Sequence, residues 1–179
     1  GTLGLESPGL ISRRIIESRA GWTETAVVMY LLRGSFTLML YRYGEAYALN
    51  PAEKMIFRRA IQDKARHRGY GMAHVKFAVS ENGKDYATGL LRMMSGVELD
   101  LASEMNDPVL WEALAIIFGG GLENISSGMD VVREFQRRYV SEYMARMQWV
   151  GIDKTAENLA PGLLAYINQE SNQESGAPA

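Results

Sequence analysis

At 179 residues the chain is long enough for one well-packed domain burying roughly 70% of its unfolded surface, and 47% hydrophobic with 22% charged residues is a globular rather than a disordered composition. A formal charge of −2 and a pI near 5.8 argue against coating nucleic acid by bulk charge and leave room only for a local basic patch. The lack of cysteine excludes disulfide frameworks, thiol nucleophiles and cysteine-based zinc sites, and fits a reducing, cytoplasmic setting.

The chain starts at Gly1 rather than Met, consistent with a processed or engineered end. Glycines and a proline over 1–9 suit a loose N-terminal arm. Leu10, Ile11, Ile15 and Ile16 then recur at helical spacing among Arg13, Arg14 and Arg19, which predicts a short amphipathic helix ending at Gly21. Trp22 to Leu49 reads two ways. As a helix, Thr23 caps a long apolar rod. As strands, Val27–Leu32 and Phe36–Tyr43 flank a turn at Arg33-Gly34-Ser35. The aromatic run and the cost of Gly34 inside a helix, about 1 kcal/mol, favour the hairpin. The most apolar window, 26–41, falls short of the roughly 20 residues of a membrane span and reads as core.

Asn50 to Gly69 is the best-marked helix: Asn50 caps it, Pro51 opens it, Glu53 can bond back to the cap, and Gly69 closes it. Ile56, Phe57, Ala60 and Ile61 form its apolar side, with Arg58, Arg59, Gln62 and Arg66 opposite. A joint at Gly69-Tyr70-Gly71 leads to His74–Val79, whose strict alternation is that of a strand. Asn82-Gly83 supplies a tight turn, and Asp85–Arg92 returns alongside it.

The acidic stretch Ser95–Asn106, carrying Glu98, Asp100 and Glu104, reads as a solvated turn. Asn106 or Asp107 then caps a helix opened by Pro108, with Val109, Leu110, Ala113, Leu114 and Ile117 inward, ending at Gly119-Gly120-Gly121. Ser127 with Asp130 resembles a capping box for a long helix running to Gly151. Its Val132, Phe135, Tyr139, Tyr143, Met147 and Val150 keep the core spacing, and Glu134/Arg138 and Glu142/Arg146 are placed for i,i+4 pairing. A last helical segment, 153–168, is interrupted at Pro161-Gly162. The polar tail 169–179 is expected to be disordered.

The fold expected is therefore α+β and helix-dominated: one domain over 10–168 with about five or six helices and one or two small antiparallel hairpins, becoming all-α if Trp22–Leu49 is helical. No catalytic or cofactor motif emerges. His67 and His74 are the only histidines, and no ligand spacing surrounds them; His67 suits the last turn of the basic helix. The glycine-rich run before Ser126 and Ser127 lacks the lysine of a phosphate-binding loop. An enzyme would have to draw on Glu98, Asp100 and Glu104. The one testable patch is Lys54, Arg58, Arg59, Lys64, Arg66 and Arg68 with Tyr70 just beyond.

The leading expectation is a non-enzymatic interaction protein that assembles with itself or within a larger complex. Its sign would be an uncovered apolar patch, with Trp22, Trp111 and Trp149 as candidates. The alternative is a nucleic-acid-binding protein, with the basic helix on the phosphates of a single strand and Tyr70 stacking on a base.

Overall fold

A computed structural model describes residues 9–17 and 21–168; most of the expected N-terminal arm and the tail from 169 onward lie outside them. In chain order the elements are α1 (Leu10–Glu17), α2 (Trp22–Ala26), a π-helical segment (Val27–Arg33), α3 (Gly34–Tyr47), α4 (Pro51–Met105), α5 (Pro108–Gly119), a 3-10 turn (Leu122–Asn124), α6 (Ile125–Trp149), a second 3-10 turn (Ala156–Asn158) and α7 (Pro161–Ile167). Among the described residues there is no strand, so the fold is all-α and both expected hairpins are overturned.

The first hairpin fails because α2, the π segment and α3 run on as one rod. Gly34 is the closure of its wide turn: the Gly34 N–H donates to the Met29 carbonyl, and a Cβ there would lie 2.6 Å from that same oxygen. Ser35 Oγ donates to the Tyr30 carbonyl at 3.4 Å, Thr37 Oγ1 to the Arg33 carbonyl at 3.2 Å, and Tyr139 OH to the Leu32 carbonyl at 3.2 Å. The aromatic run that suggested a strand is instead a helical face, with Phe36 edge-on to Phe135 and Tyr139, and Tyr43 edge-on to Phe135.

The second hairpin fails because the helix capped by Asn50 continues through Gly69 and Gly71 to Met105, broken only at Gly83. The cap itself is as expected: Asn50 Oδ1 accepts from the Glu53 N–H at 2.9 Å, while Glu53 Oε2 accepts from the Leu49 N–H rather than from the cap residue. Gly71, Val75 and Ala78 are buried at helical spacing, and Phe77, the middle of the supposed strand face, points outward. Gly83 does hold the positive φ expected of it, 77°, with ψ −168°, a region that side chains other than glycine avoid. It joins two helical arms rather than two strands.

The arms fold back on each other there. Thr23 Oγ1 and His74 Nε2 are 3.0 Å apart, and Arg33 Nη2 lies 3.9 Å from Glu104 Oε2. On an unbroken helix His74 and Glu104 would stand about 45 Å apart, against about 15 Å between Thr23 and Arg33. Both arms therefore pack on the same rod. In the second arm Ala87, Leu90, Met94, Val97, Leu101 and Met105 keep an inward spacing of three or four residues.

Asp107 caps α5, its side chain accepting from the Val109 N–H at 2.9 Å. The inward side of α5 is Trp111, Leu114, Ala115 and Phe118; Leu114 is inward as expected, whereas Val109, Ala113 and Ile117, expected inward, face outward. Gly120, at φ 77°, ends the helix. No capping box forms at Ser127, whose hydroxyl donates to the Asn124 carbonyl inside a helix already begun at Ile125. The inward row of α6, Val132 to Val150, is buried as expected. Pro161 opens α7 instead of interrupting a helix.

Candidate functional site

The acidic stretch is not a solvated turn. It ends α4, and each of its carboxylates ties in another part of the chain. Glu98 and Lys154 are both 0% exposed and lie 2.7 Å apart. Glu98 also accepts from Tyr143 OH at 2.6 Å and from the Ala160 N–H at 3.1 Å, while Lys154 Nζ donates to the Asn158 carbonyl at 2.6 Å. Burial, the Glu98 charge and the hydrogen bond to it hold the Tyr143 phenol well above its ordinary range. Asp100 pairs with Arg14 of α1, and Glu104 accepts from the Ile11 N–H at 3.1 Å. These are ties between elements.

The predicted basic row is divided by the helix. At 100° per residue, Arg59, Arg66 and Tyr70 share the outward face of the first arm, while Lys54, Arg58, Lys64 and Arg68 turn to another side. Arg58 Nε binds Glu45 Oε1 of α3 at 2.8 Å, and Arg66 binds Asp63 at 3.3 Å. His67 is no C-terminal residue; it lies within the helix, 3.7 Å from Asp63. Lys54 lines a shallow groove beside Asn50 and Arg58.

On the outward face, Ile56 is 65%, Tyr70 62% and Phe77 65% exposed. Ile56, which its spacing in the sequence places on the apolar side, therefore faces outward. With Asp63, these residues recur every seven positions, and Ala52, Arg59, Arg66, Ala73 and Ser80 form the parallel row. Of the three tryptophans Trp111 is buried, its indole N–H donating to the Met105 carbonyl at 2.6 Å. Trp22 and Trp149 are about half exposed and touch the same arm, Trp22 edge-on to His74 and Trp149 beneath Lys76 Nζ at 3.9 Å.

Arg68 takes part in an arrangement that the sequence did not reveal. It meets Arg42 of α3 and Glu142 and Arg146 of α6 around an open cleft of about 350 Å³. Glu142 is shared: Arg146 bonds to it, Arg138 Nε lies 3.1 Å from Oε1, and Arg42 Nη1 lies 3.6 Å from Oε2. Glu134, expected to pair with Arg138, is taken by Arg137. Arg146 is only 9% exposed, and its Nη1 is buried without a hydrogen-bond partner among the described residues. Burial pushes the Arg146 guanidinium down to about 10, with Glu142 opposing, so it remains charged at neutral pH. Burial first and Arg42 second lower Arg68 as well.

Among the described residues no group of three or more His, Asp or Glu side chains is placed to hold a metal ion. No single described helix is long and apolar enough to cross a membrane. Comparison with protein-family models, with curated proteins and with solved structures returns no match.

Proposed function

We propose that this chain is a non-enzymatic assembly protein that pairs with a second copy of itself through the outward face of the first α4 arm. The observation that carries this reading is the heptad-spaced exposure of Ile56, Tyr70 and Phe77 on a face no described part of the chain covers. Set antiparallel against its own copy, that face complements itself. Phe77 meets the partner's Ala52, Ile56 the partner's Ala73, Tyr70 the partner's Arg59, and Asp63 the partner's Arg66. Large faces small, cation faces aromatic ring, and acid faces base. The occupation of Glu98, Asp100 and Glu104 by structural partners supports the non-enzymatic part of the reading.

Light scattering across a concentration series tests self-association: the reading expects twice the chain mass of 19.9 kDa. Because the chain has no cysteine, an Ile56→Cys/Ala73→Cys double variant tests the register by oxidative cross-linking between copies. Asp63→Arg and Arg66→Asp should each weaken the pair, and together restore it. A dimer that fails to cross-link and is not rescued would overturn the register alone. A chain that stays monomeric at every concentration would overturn self-association.

A second reading, single-stranded nucleic acid, is favoured by Tyr70 standing with Arg59 and Arg66 on one exposed face. It is weakened by the division of the basic row and by the pairing of Arg58 and Arg66 with acids of the same chain. It expects oligonucleotide binding that collapses as salt rises.

A further inference from the structure

Among its described lining residues, the cleft between α3, the first arm of α4 and α6 carries three arginines, Arg42, Arg68 and Arg146, and one carboxylate, Glu142. Arg42, Arg138 and Arg146 share one carboxylate, Glu142, and Arg68 lines the same cleft. Two features make this more than a solvated surface cluster. Arg146 is nine-tenths buried yet leaves Nη1 without a partner among the described residues, and a buried donor without a hydrogen bond is costly, the more so when charged. Arg68 is half-buried, no described carboxylate is in direct contact with it, and it shares the cleft with the repelling Arg42 and Arg146 and the already shared Glu142. A fold that holds guanidinium groups together at such cost is poised for an anion, and the fork geometry of arginine suits the oxygens of a phosphate. Met72 and Trp149 give the same cleft an apolar wall, so the anion fits best as part of a molecule with a flat or apolar portion.

We propose that this cleft binds a phosphate monoester, its oxygens on Arg42, Arg68 and Arg146 and its organic portion against Met72 and Trp149. The site is separate from the outward stripe. On the helical wheel Arg68 and Met72 lie well away from Tyr70 and Phe77, so ligand binding and self-association can fail independently.

The test is titration calorimetry on the full chain with phenyl phosphate, inorganic phosphate and a short single-stranded oligonucleotide as separate probes. Phenyl phosphate should bind more tightly than inorganic phosphate, and both more tightly than the oligonucleotide taken per phosphate. Arg68→Gln and Arg42→Gln, on the rim and tolerant of change, should each weaken phenyl phosphate at least about tenfold, the loss of one charge-assisted contact. Arg59→Gln, on the outward face, should leave it unchanged. No binding of either phosphate, equal weakening by Arg59→Gln, or preference for the oligonucleotide would each overturn the proposal, the last in favour of a phosphodiester strand.

Discussion

The two arms of α4 share one helix yet treat their charges in opposite ways. Beyond Gly83, Glu98, Asp100 and Glu104 each find a partner on another element, and the buried Glu98–Lys154 pair has its oxygens and ammonium engaged by Tyr143, Ala160 and Asn158. Before Gly83, apolar side chains stand in solvent on one side, and on another Arg68 joins a group of arginines around Glu142, the one acid among the described residues that line the cleft. A closed network fixes a structure, whereas surplus charge and uncovered apolar surface are what a binding partner can use. The second arm is the anchor, and the first arm is the part offered outward.

The largest effect should come from breaking the anchor. Glu98→Gln or Lys154→Met leaves a buried partner uncompensated and should cost about 3–5 kcal/mol in urea unfolding, whereas Glu98→Gln with Lys154→Met, which removes both charges and keeps an acceptor for Tyr143 and Ala160, should cost less than the two single losses added. A loss below about 1 kcal/mol for either single change would mean the pair is not sealed from water. Next is the fold-back: Gly83→Ala forces a side chain into a region almost reserved for glycine and should cost about 1–3 kcal/mol, read as a lower denaturation midpoint.

How much of this the residues disclosed differs along the same helix. Its start could be read because Asn50, Pro51 and Glu53 act on neighbouring backbone groups, a local chemistry that no tertiary contact overrides. Its length could not. Gly69 and Gly71 resembled a break, and Val75, Phe77 and Val79 alternated like a strand because an exposed phenylalanine happened to fill the alternate position. The positive φ at Gly83 was legible, but whether strands or helices met there depended on packing that the pair Asn82-Gly83 does not encode. The cleft was hidden for a different reason. Arg42, Arg68 and Arg146 are distant in sequence, and the Glu142/Arg146 pair read as an ordinary surface contact until burial separated it from the others.

A smaller effect is expected at the junction between the rod and α6. Tyr139→Phe removes the hydrogen bond to the Leu32 carbonyl and should cost about 1 kcal/mol. Burial raises the Tyr139 and Tyr143 phenols above their ordinary 10.0. The folded state then retains protons that the unfolded state releases, so their contribution is complete below about pH 10 and declines as pH rises further. Tyr139→Phe should make the alkaline fall in stability shallower, as measured by urea midpoints from pH 8 to 11. The smallest effect on stability belongs to the outward face. Compared at concentrations low enough that both chains are monomeric, Tyr70→Ala with Phe77→Ala should change unfolding by no more than about 0.5 kcal/mol per site, as exposed positions do, while abolishing self-association at higher concentration.

That last contrast is the most direct test of the account. Light scattering of the full chain and of the Tyr70→Ala/Phe77→Ala variant, both checked for unchanged helical content, should give twice the chain mass for the first and the mass of a single chain for the second. Equal masses, whether both dimeric or both monomeric, would contradict the claim that the first arm of α4 is the surface through which this protein assembles.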